Sequence, residues 1–190
     1  MTIAIGTIST HSIIIGTDSL WSWSEDFVRD HKTSKFIEAP NKLKSKVLVA
    51  SAGQDRFTQI FERLIRKSPE LLGFENREGA LVLIEALQEE VGKHGIGDPD
   101  TNQLPEHNLS FLIGSAITKS LWTIEADYGI NEFDDFVCIG SGTFIGESAM
   151  HVLAKHQIAG RVAVKSSLET AMALHPFCGG RTEIREITIA

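Results

Sequence analysis

The chain has 190 residues, enough for one domain with a substantial core, and its 42% hydrophobic and 23% charged residues are ordinary for a globular protein. A net charge of −7 and the lack of any Lys/Arg-rich run exclude the phosphate-neutralising stripe of a nucleic-acid binder, and no apolar run approaches the roughly 20 residues of a membrane span. The first basic residue is Arg29, so no positive n-region precedes an apolar segment, and Cys138 and Cys178 stand without CxxC spacing; a cytoplasmic protein with neither a disulfide framework nor a zinc ribbon is expected.

Residues 2–9 and 13–18 read as two strands joined at Thr10-His11-Ser12, hence a hairpin. The stretch 20–35 is polar but carries Trp21 and Trp23, which share a face if it is extended. Two more strands are expected at 35–39 and 45–52, parted by a Pro40-Asn41 turn. The period then changes: Phe57, Ile60, Phe61, Leu64 and Ile65 recur at helical spacing over 55–67. Asn76 is the expected N-cap of a second helix reaching 93, with Leu81, Ile84, Leu87 and Val91 on its apolar stripe. A loop rich in Gly, Pro and Asp covers 94–105. Strands are expected at 109–115, 121–126 and 136–139, and a Gly140-Ser141-Gly142 turn opens a helix over 143–156. A helix over 167–174 and a strand over 183–189 close the chain. Strands, two helices, strands, two helices and a strand describe an α+β arrangement in layers and not a βαβ alternation. Two face-to-face sheets with a helix pair outside each, a four-layer αββα sandwich spanning 1–190 as one domain, satisfy that order.

The chemistry concentrates in the first 35 residues. Removal of Met1 leaves Thr2 as a free N-terminal threonine, which carries a hydroxyl nucleophile and an α-amine base on one Cα. Such an amine has a reference pKa of about 7.7 to 8.0, close to working pH. Asp18 ends the second strand and Lys35 opens the third, so a carboxylate and an ammonium stand at strand ends beside the hydroxyl and amine. Taken singly, each has a plainer reading: a threonine after the initiator, a turn aspartate, a solvated lysine.

The hairpin with Thr2, Gly16-Thr17-Asp18-Ser19, Lys35-Phe36-Ile37, Ser51-Ala52-Gly53 and Ile139-Gly140-Ser141-Gly142 before a helix together resemble the proteasome β-subunit superfamily, including the HslV-type bacterial peptidases. The likeness spans nearly the whole chain in element order. It implies the αββα fold of the N-terminal nucleophile hydrolases and a threonine endopeptidase. Thr2 would be the nucleophile, its α-amine the base, Lys35 a fixed positive charge, and Asp18 the group that orients it. The Gly53 backbone N–H would face the oxyanion, and Ser141 with the Gly142 backbone would hold the terminal amine. The same likeness implies protein or peptide substrates, a homo-oligomeric double ring, no cofactor, and an ATP-dependent unfoldase as partner.

Three departures stand out. Where β-subunits carry an acidic residue and a serine ahead of Gly-Gly, this chain reads His175-Pro176-Phe177-Cys178-Gly179-Gly180. Lys35 has a neighbour in Lys32, and Leu20 stands where many β-subunits have arginine. Two other functions compete with the peptidase: an inactive ring-forming scaffold, and a nucleotide-binding protein using the glycines of Gly140–Gly146 as a degraded dinucleotide fingerprint. The seven histidines lack metal-ligand spacing, so no metal is expected, and Cys178 reads as a buried structural thiol.

Overall fold

The computed structural model describes residues 2–24, 27–30, 34–53, 55–94 and 110–189, the side chains of 22–30 excepted, and every structural statement concerns these. The N-terminal hairpin is β1 (Ile3–Ile8) and β2 (Ser12–Asp18), followed by a ribbon of β3 (Leu20–Ser24) and β4 (Phe27–Asp30). Next come β5 (Phe36–Ile37), β6 (Val47–Ala52), α1 (Asp55–Lys67) and α2 (Arg77–Lys93), the helices joined through a 3-10 turn at Pro69–Gly73. The second half runs β7 (Ser110–Ser115), β8 (Ser120–Ile124), β9 (Ile130–Phe133), β10 (Phe136–Gly140), α3 (Thr143–Lys155), α4 (Gly160–Leu174) and β11 (Thr182–Thr188).

Two antiparallel sheets result, ordered β10-β1-β2-β11 and β5-β6-β7-β8-β9. Strand alternation divides their apolar residues among three cores. Ala4, Ile13, Ile15 and Ile139 of the first sheet meet Leu48, Ala50, Leu112 and Leu121 of the second in the central layer. The opposite face of the first sheet, with Ile3, Ile5 and Ile14, packs on Met150 of α3 and on Val164 and Leu168 of α4. The opposite face of the second, with Val49, Phe111, Ile113 and Trp122, packs on Phe57, Phe61 and Ile65 of α1 and on Leu83 and Leu87 of α2. Phe61 and Phe111 stack with centroids 4.3 Å apart. The expected αββα sandwich is the observed architecture. No helix among the described residues is long and apolar enough to cross a membrane.

Several local expectations need correction. The Asn76 cap forms, its side-chain oxygen accepting Gly79 N–H at 3.0 Å, yet Leu81 is 43% exposed and the buried stripe is Ala80, Leu83, Ile84, Leu87 and Val91. At 3.6 residues per turn Leu81 stands about 100° round the helix from Ala80, facing water. The last helix begins at Gly160 and not at 167. Its N-cap, Ala159, offers no side-chain hydrogen bond, so the usual start signal is missing, and Val162-Ala163-Val164 reads as a strand triplet although Val162 is exposed. Strand β9 and the 3-10 turn were not foreseen, because four mixed-polarity residues and a short Pro-led turn leave no period. The polar stretch 20–35 supplies the β3–β4 ribbon. The side chain of Trp23, Lys32, and 95–105 of the expected loop lie outside the described residues.

Candidate active site

Strand register brings the ends of three strands together. Ala4 pairs with Thr17, so Asp18 stands across from Ile3; on the other flank Ile3 pairs with Gly140, so Thr2 stands across from Ser141. In the second sheet Phe36 pairs with Ala50, and the preceding Lys35 carbonyl accepts Ser51 N–H at 3.0 Å. Lys35 then crosses the gap between the sheets. Thr2, Asp18 and Lys35 are 3%, 1% and 4% exposed.

Asp18 is the hub. Its Oδ1 accepts Thr2 Oγ1–H at 2.6 Å, Lys35 Nζ at 2.6 Å and Ile3 N–H at 3.0 Å, while Oδ2 accepts Gly179 N–H at 3.0 Å. The ammonium of Lys35 uses its three donors on Asp18, on the Leu20 carbonyl at 2.6 Å, and on Thr2 Oγ1. The threonine oxygen therefore gives its proton toward a carboxylate and receives one from a cation, the arrangement that stabilises a developing alkoxide. Burial pushes the Lys35 ammonium below the ordinary lysine value of 10.5, while Asp18 beside it, with Asp55 beyond, pulls it back up. The face of Trp21 lies 5.9 Å from the same nitrogen.

On the opposite side Thr2 N–H donates to Ser141 Oγ at 3.2 Å, and the Thr2 carbonyl accepts Ser141 Oγ–H at 3.2 Å and Gly142 N–H at 3.3 Å. Gly140 has φ +94°, and a Cβ there would run into the Thr2 carbonyl oxygen, so the turn is closed to other residues by both conformation and space. A Cβ on Gly142 would lie 3.0 Å from that of Ile3, and one on Gly146 2.8 Å from Ile3 Cδ1. These glycines make room for the N-terminal strand. The amide at the start of α3 is engaged by Thr2 and not turned toward a phosphate, and β10 runs antiparallel to β1, which removes the structural basis of a dinucleotide fingerprint. Gly53 sits in the bend after β6 with φ +123°, two residues beyond Ser51. It is the one named residue that no hydrogen bond ties to Thr2, Asp18 or Lys35 among the described residues.

Sequence reasoning missed the Leu20 carbonyl and the Gly179 amide, because backbone groups carry no residue signature. It noted Cys178 and His175 but gave them no partner. Cys178 Sγ lies 3.9 Å from Ser141 Oγ and 3.6 Å from His175 Nδ1. Among the described residues no group of three or more His, Cys, Asp or Glu is placed to hold a metal ion.

No family model matches the sequence, and no curated protein does either. Solved structures do. BPH from Thiobacillus denitrificans in complex with epoxomicin superposes with a TM-score of 0.78 at 14% identity, covering 99% of each chain. A second structure of that BPH gives 0.74 at 17% identity, over 100% of this chain and 99% of that one. The eukaryotic HslV from Trypanosoma brucei gives 0.71 at 14% identity, over 98% of this chain and 99% of that one. With its two sheets between two helix pairs and Thr2 at the head of the first strand, the chain has the fold of the proteasome-like N-terminal nucleophile hydrolases.

Proposed function

We propose that the chain is the threonine peptidase subunit of a self-compartmentalising, proteasome-like assembly, acting through Thr2 once Met1 is removed. The observation that carries this reading is the buried Lys35 ammonium donating to Thr2 Oγ1 while Asp18 holds both. In the mechanism, the Thr2 hydroxyl hydrogen turns from Asp18 toward the free α-amine, and Oγ1 attacks a peptide carbonyl carbon as that proton passes to the amine. The carbonyl π pair moves onto oxygen, where the Gly53 N–H receives it; losing one such donor typically costs about 2.7 to 4 kcal/mol of barrier stabilisation. Collapse breaks the C–N bond, and the α-ammonium returns its proton to the departing amine. The same amine then takes a proton from water, which cleaves the acyl ester and restores the hydroxyl. Lys35 stays charged throughout, lowering the proton affinity of the oxygen, and Asp18 fixes its direction.

The substrates in this reading are peptides and unfolded protein segments in the cytoplasm, and the whole of 1–190 serves as one catalytic unit. A homo-oligomeric double ring would hide the site, with an ATP-dependent unfoldase feeding it. Exposed Phe144, Val152 and Leu174 on α3 and α4, beside a cavity of about 520 Å³, give an apolar surface suited to contact with a second copy.

Intact mass of the purified assembly, before and after a threonine-directed β-lactone, tests the proposal. Loss of one methionine and a single adduct that is absent from Thr2→Ala is the expected result. Epoxomicin, the compound bound by BPH, serves as a second probe. Retained Met1 with no adduct from either probe would overturn the nucleophile assignment.

A further inference from the structure

We propose that His175 and Cys178 form a positioning pair that acts through Ser141 to hold the Thr2 nitrogen in line; the inference rests on the peptidase reading of Thr2. The chain of contacts is continuous. His175 Nδ1 lies 3.6 Å from Cys178 Sγ, Cys178 Sγ 3.9 Å from Ser141 Oγ, and Ser141 Oγ 3.2 Å from Thr2 N.

The direction of the hydrogens follows from the partners. Phe177 N–H donates to His175 Nδ1 at 3.3 Å, so Nδ1 is the lone-pair nitrogen, and the thiol hydrogen shares that lone pair as the longer branch of a three-centre contact at 3.6 Å. The thiol keeps that hydrogen at working pH, since burial and then the charge of Asp18 push its pKa up to about 11. Sulfur therefore turns its lone pairs toward Ser141. The Ser141 oxygen accepts from Thr2 N, and its one hydroxyl hydrogen is shared between the sulfur lone pair at 3.9 Å and the Thr2 carbonyl at 3.2 Å.

Packing holds the pair rigid. Cys178 is 3% exposed, and a Cβ on Gly142 would approach its sulfur to 2.8 Å, so sulfur fills the space behind the turn that faces Thr2. His175 is fixed by the end of α4, its N–H donating to the Ala171 carbonyl at 2.8 Å, and its ring meets Phe177 edge-to-face at 5.9 Å. Cys178 N–H closes the turn on the His175 carbonyl at 3.1 Å. The next residue, Gly179, donates to Asp18 and accepts from Ser19 and Leu20 N–H. One short loop thus braces both flanks of the nucleophile, the nitrogen through sulfur and the carboxylate through an amide.

The test is the rate of β-lactone adduct formation at Thr2 in the full-length assembly, resolved into half-saturating concentration and maximal rate. Cys178→Ala and His175→Ala each slow the maximal rate by roughly tenfold to a hundredfold with half-saturation unchanged, the scale expected of a misdirected reacting group. Cys178→Ser and His175→Asn, which keep the donor and the acceptor, return to within about threefold of the original rate, where a merely space-filling role would let the alanine variants equal them. Alanine variants that label at the original rate, or a folded Cys178→Ser as slow as Cys178→Ala, would overturn the pair. Should Cys178→Ala fail to fold, the half-buried His175 variants decide by the same criterion. An unmodified protein that takes no label at all sinks the peptidase reading itself, a failure distinct from that of the pair.

Discussion

Two carboxylates lie buried among cations in this chain, and they are used differently. Asp18, at the end of β2, has a cationic partner, Lys35, whose side chain is itself 3% exposed. Glu90, on α2, has Lys67 at 3.1 Å, Arg63 at 3.5 Å, Lys93 at 3.7 Å and His94 at 3.9 Å, but the side chains of Lys67, Arg63 and Lys93 are more than half exposed. Water screens those charges, so their combined field on Glu90 clips the end of α1 to α2 and does little else. Around Asp18 there is no such screening, and the same kind of ion pair polarises a hydroxyl. Counting cations around a carboxylate would therefore rank the wrong site first. The exposure of the cations, and whether a hydroxyl shares the carboxylate, separate the polarised site from a helix clamp.

The sharpest way to break this contrast is at Thr2, the proposed nucleophile. Thr2→Ala removes the acyl-accepting oxygen but only a small side chain from a strand end, so turnover of a peptide substrate should fall by on the order of 10⁴-fold or more with assembly unchanged. Residual activity near the original level would mean the buried Asp18 pair is as purely structural as the Glu90 one. Next is Lys35→Ala. It removes the charge at Thr2 Oγ1 and strands Asp18, so activity should drop by about 10² to 10⁴-fold and stability by about 3–5 kcal/mol in denaturant titration. Lys32→Ala should cost far less in both; the opposite ranking would show that the ammonium has been misplaced.

Protonation sharpens the comparison further, because burial lowers the Lys35 pKa. Labelling of Thr2 needs the charged ammonium, so its alkaline limb should fall below the ordinary lysine value of 10.5. Stability should move the other way. Between the folded value and 10.5 the unfolded chain binds the extra proton, so stability rises with pH across the window in which labelling declines. Asp18→Asn removes the main group that raises the Lys35 pKa and should carry the alkaline limb lower still, read from labelling rate against pH. A limb that stays put would break the assigned coupling.

Much of this was legible in the sequence, for identifiable reasons. The layers follow from two periods, and long apolar strands such as Ile13-Ile14-Ile15 serve both core faces, which identifies a sheet packed on two sides. That Thr2, Asp18, Lys35 and Ser141 come together was legible because each bears a polar side chain at a strand end, where register brings ends together. What escaped was of two kinds. Backbone groups such as the Leu20 carbonyl and the Gly179 amide have no residue code. Helix faces without caps or clean stripes mislead, as Leu81 and the start of α4 did, because propensity and hydropathy do not say which side of a helix meets the sheet. The Glu90 cluster escaped for a related reason: i,i+3 and i,i+4 spacing is visible for Lys93 and His94, but Arg63 and Lys67 come from another helix.

The smallest expected effect belongs to that cluster. Glu90→Gln keeps the shape and one acceptor oxygen and loses the charge, while the cations around it regain water at little cost. Stability should fall by about 1.5 kcal/mol, the low end for a hydrogen bond to a charged group, and Thr2 labelling should change by less than about twofold. Its pH signature has the same sign as that of Lys35, stability rising with pH, but it lies in the acid range and reports a favourable contact where Lys35 reports a cost of burial. The hydrogen bond from Lys67 holds the Glu90 carboxyl below the ordinary 4.5, so its contribution is fully present above that value and is lost as pH falls through the lowered one. Acid titration of the Gln variant should lack this component, and added salt should shrink the difference between the variant and the original protein. Salt should leave the Asp18–Lys35 pair nearly untouched, because neither partner meets water. A salt-sensitive Thr2 labelling rate at fixed assembly would remove the distinction between the two carboxylates and, with it, the argument that exclusion of water is what turns the first of them to chemistry.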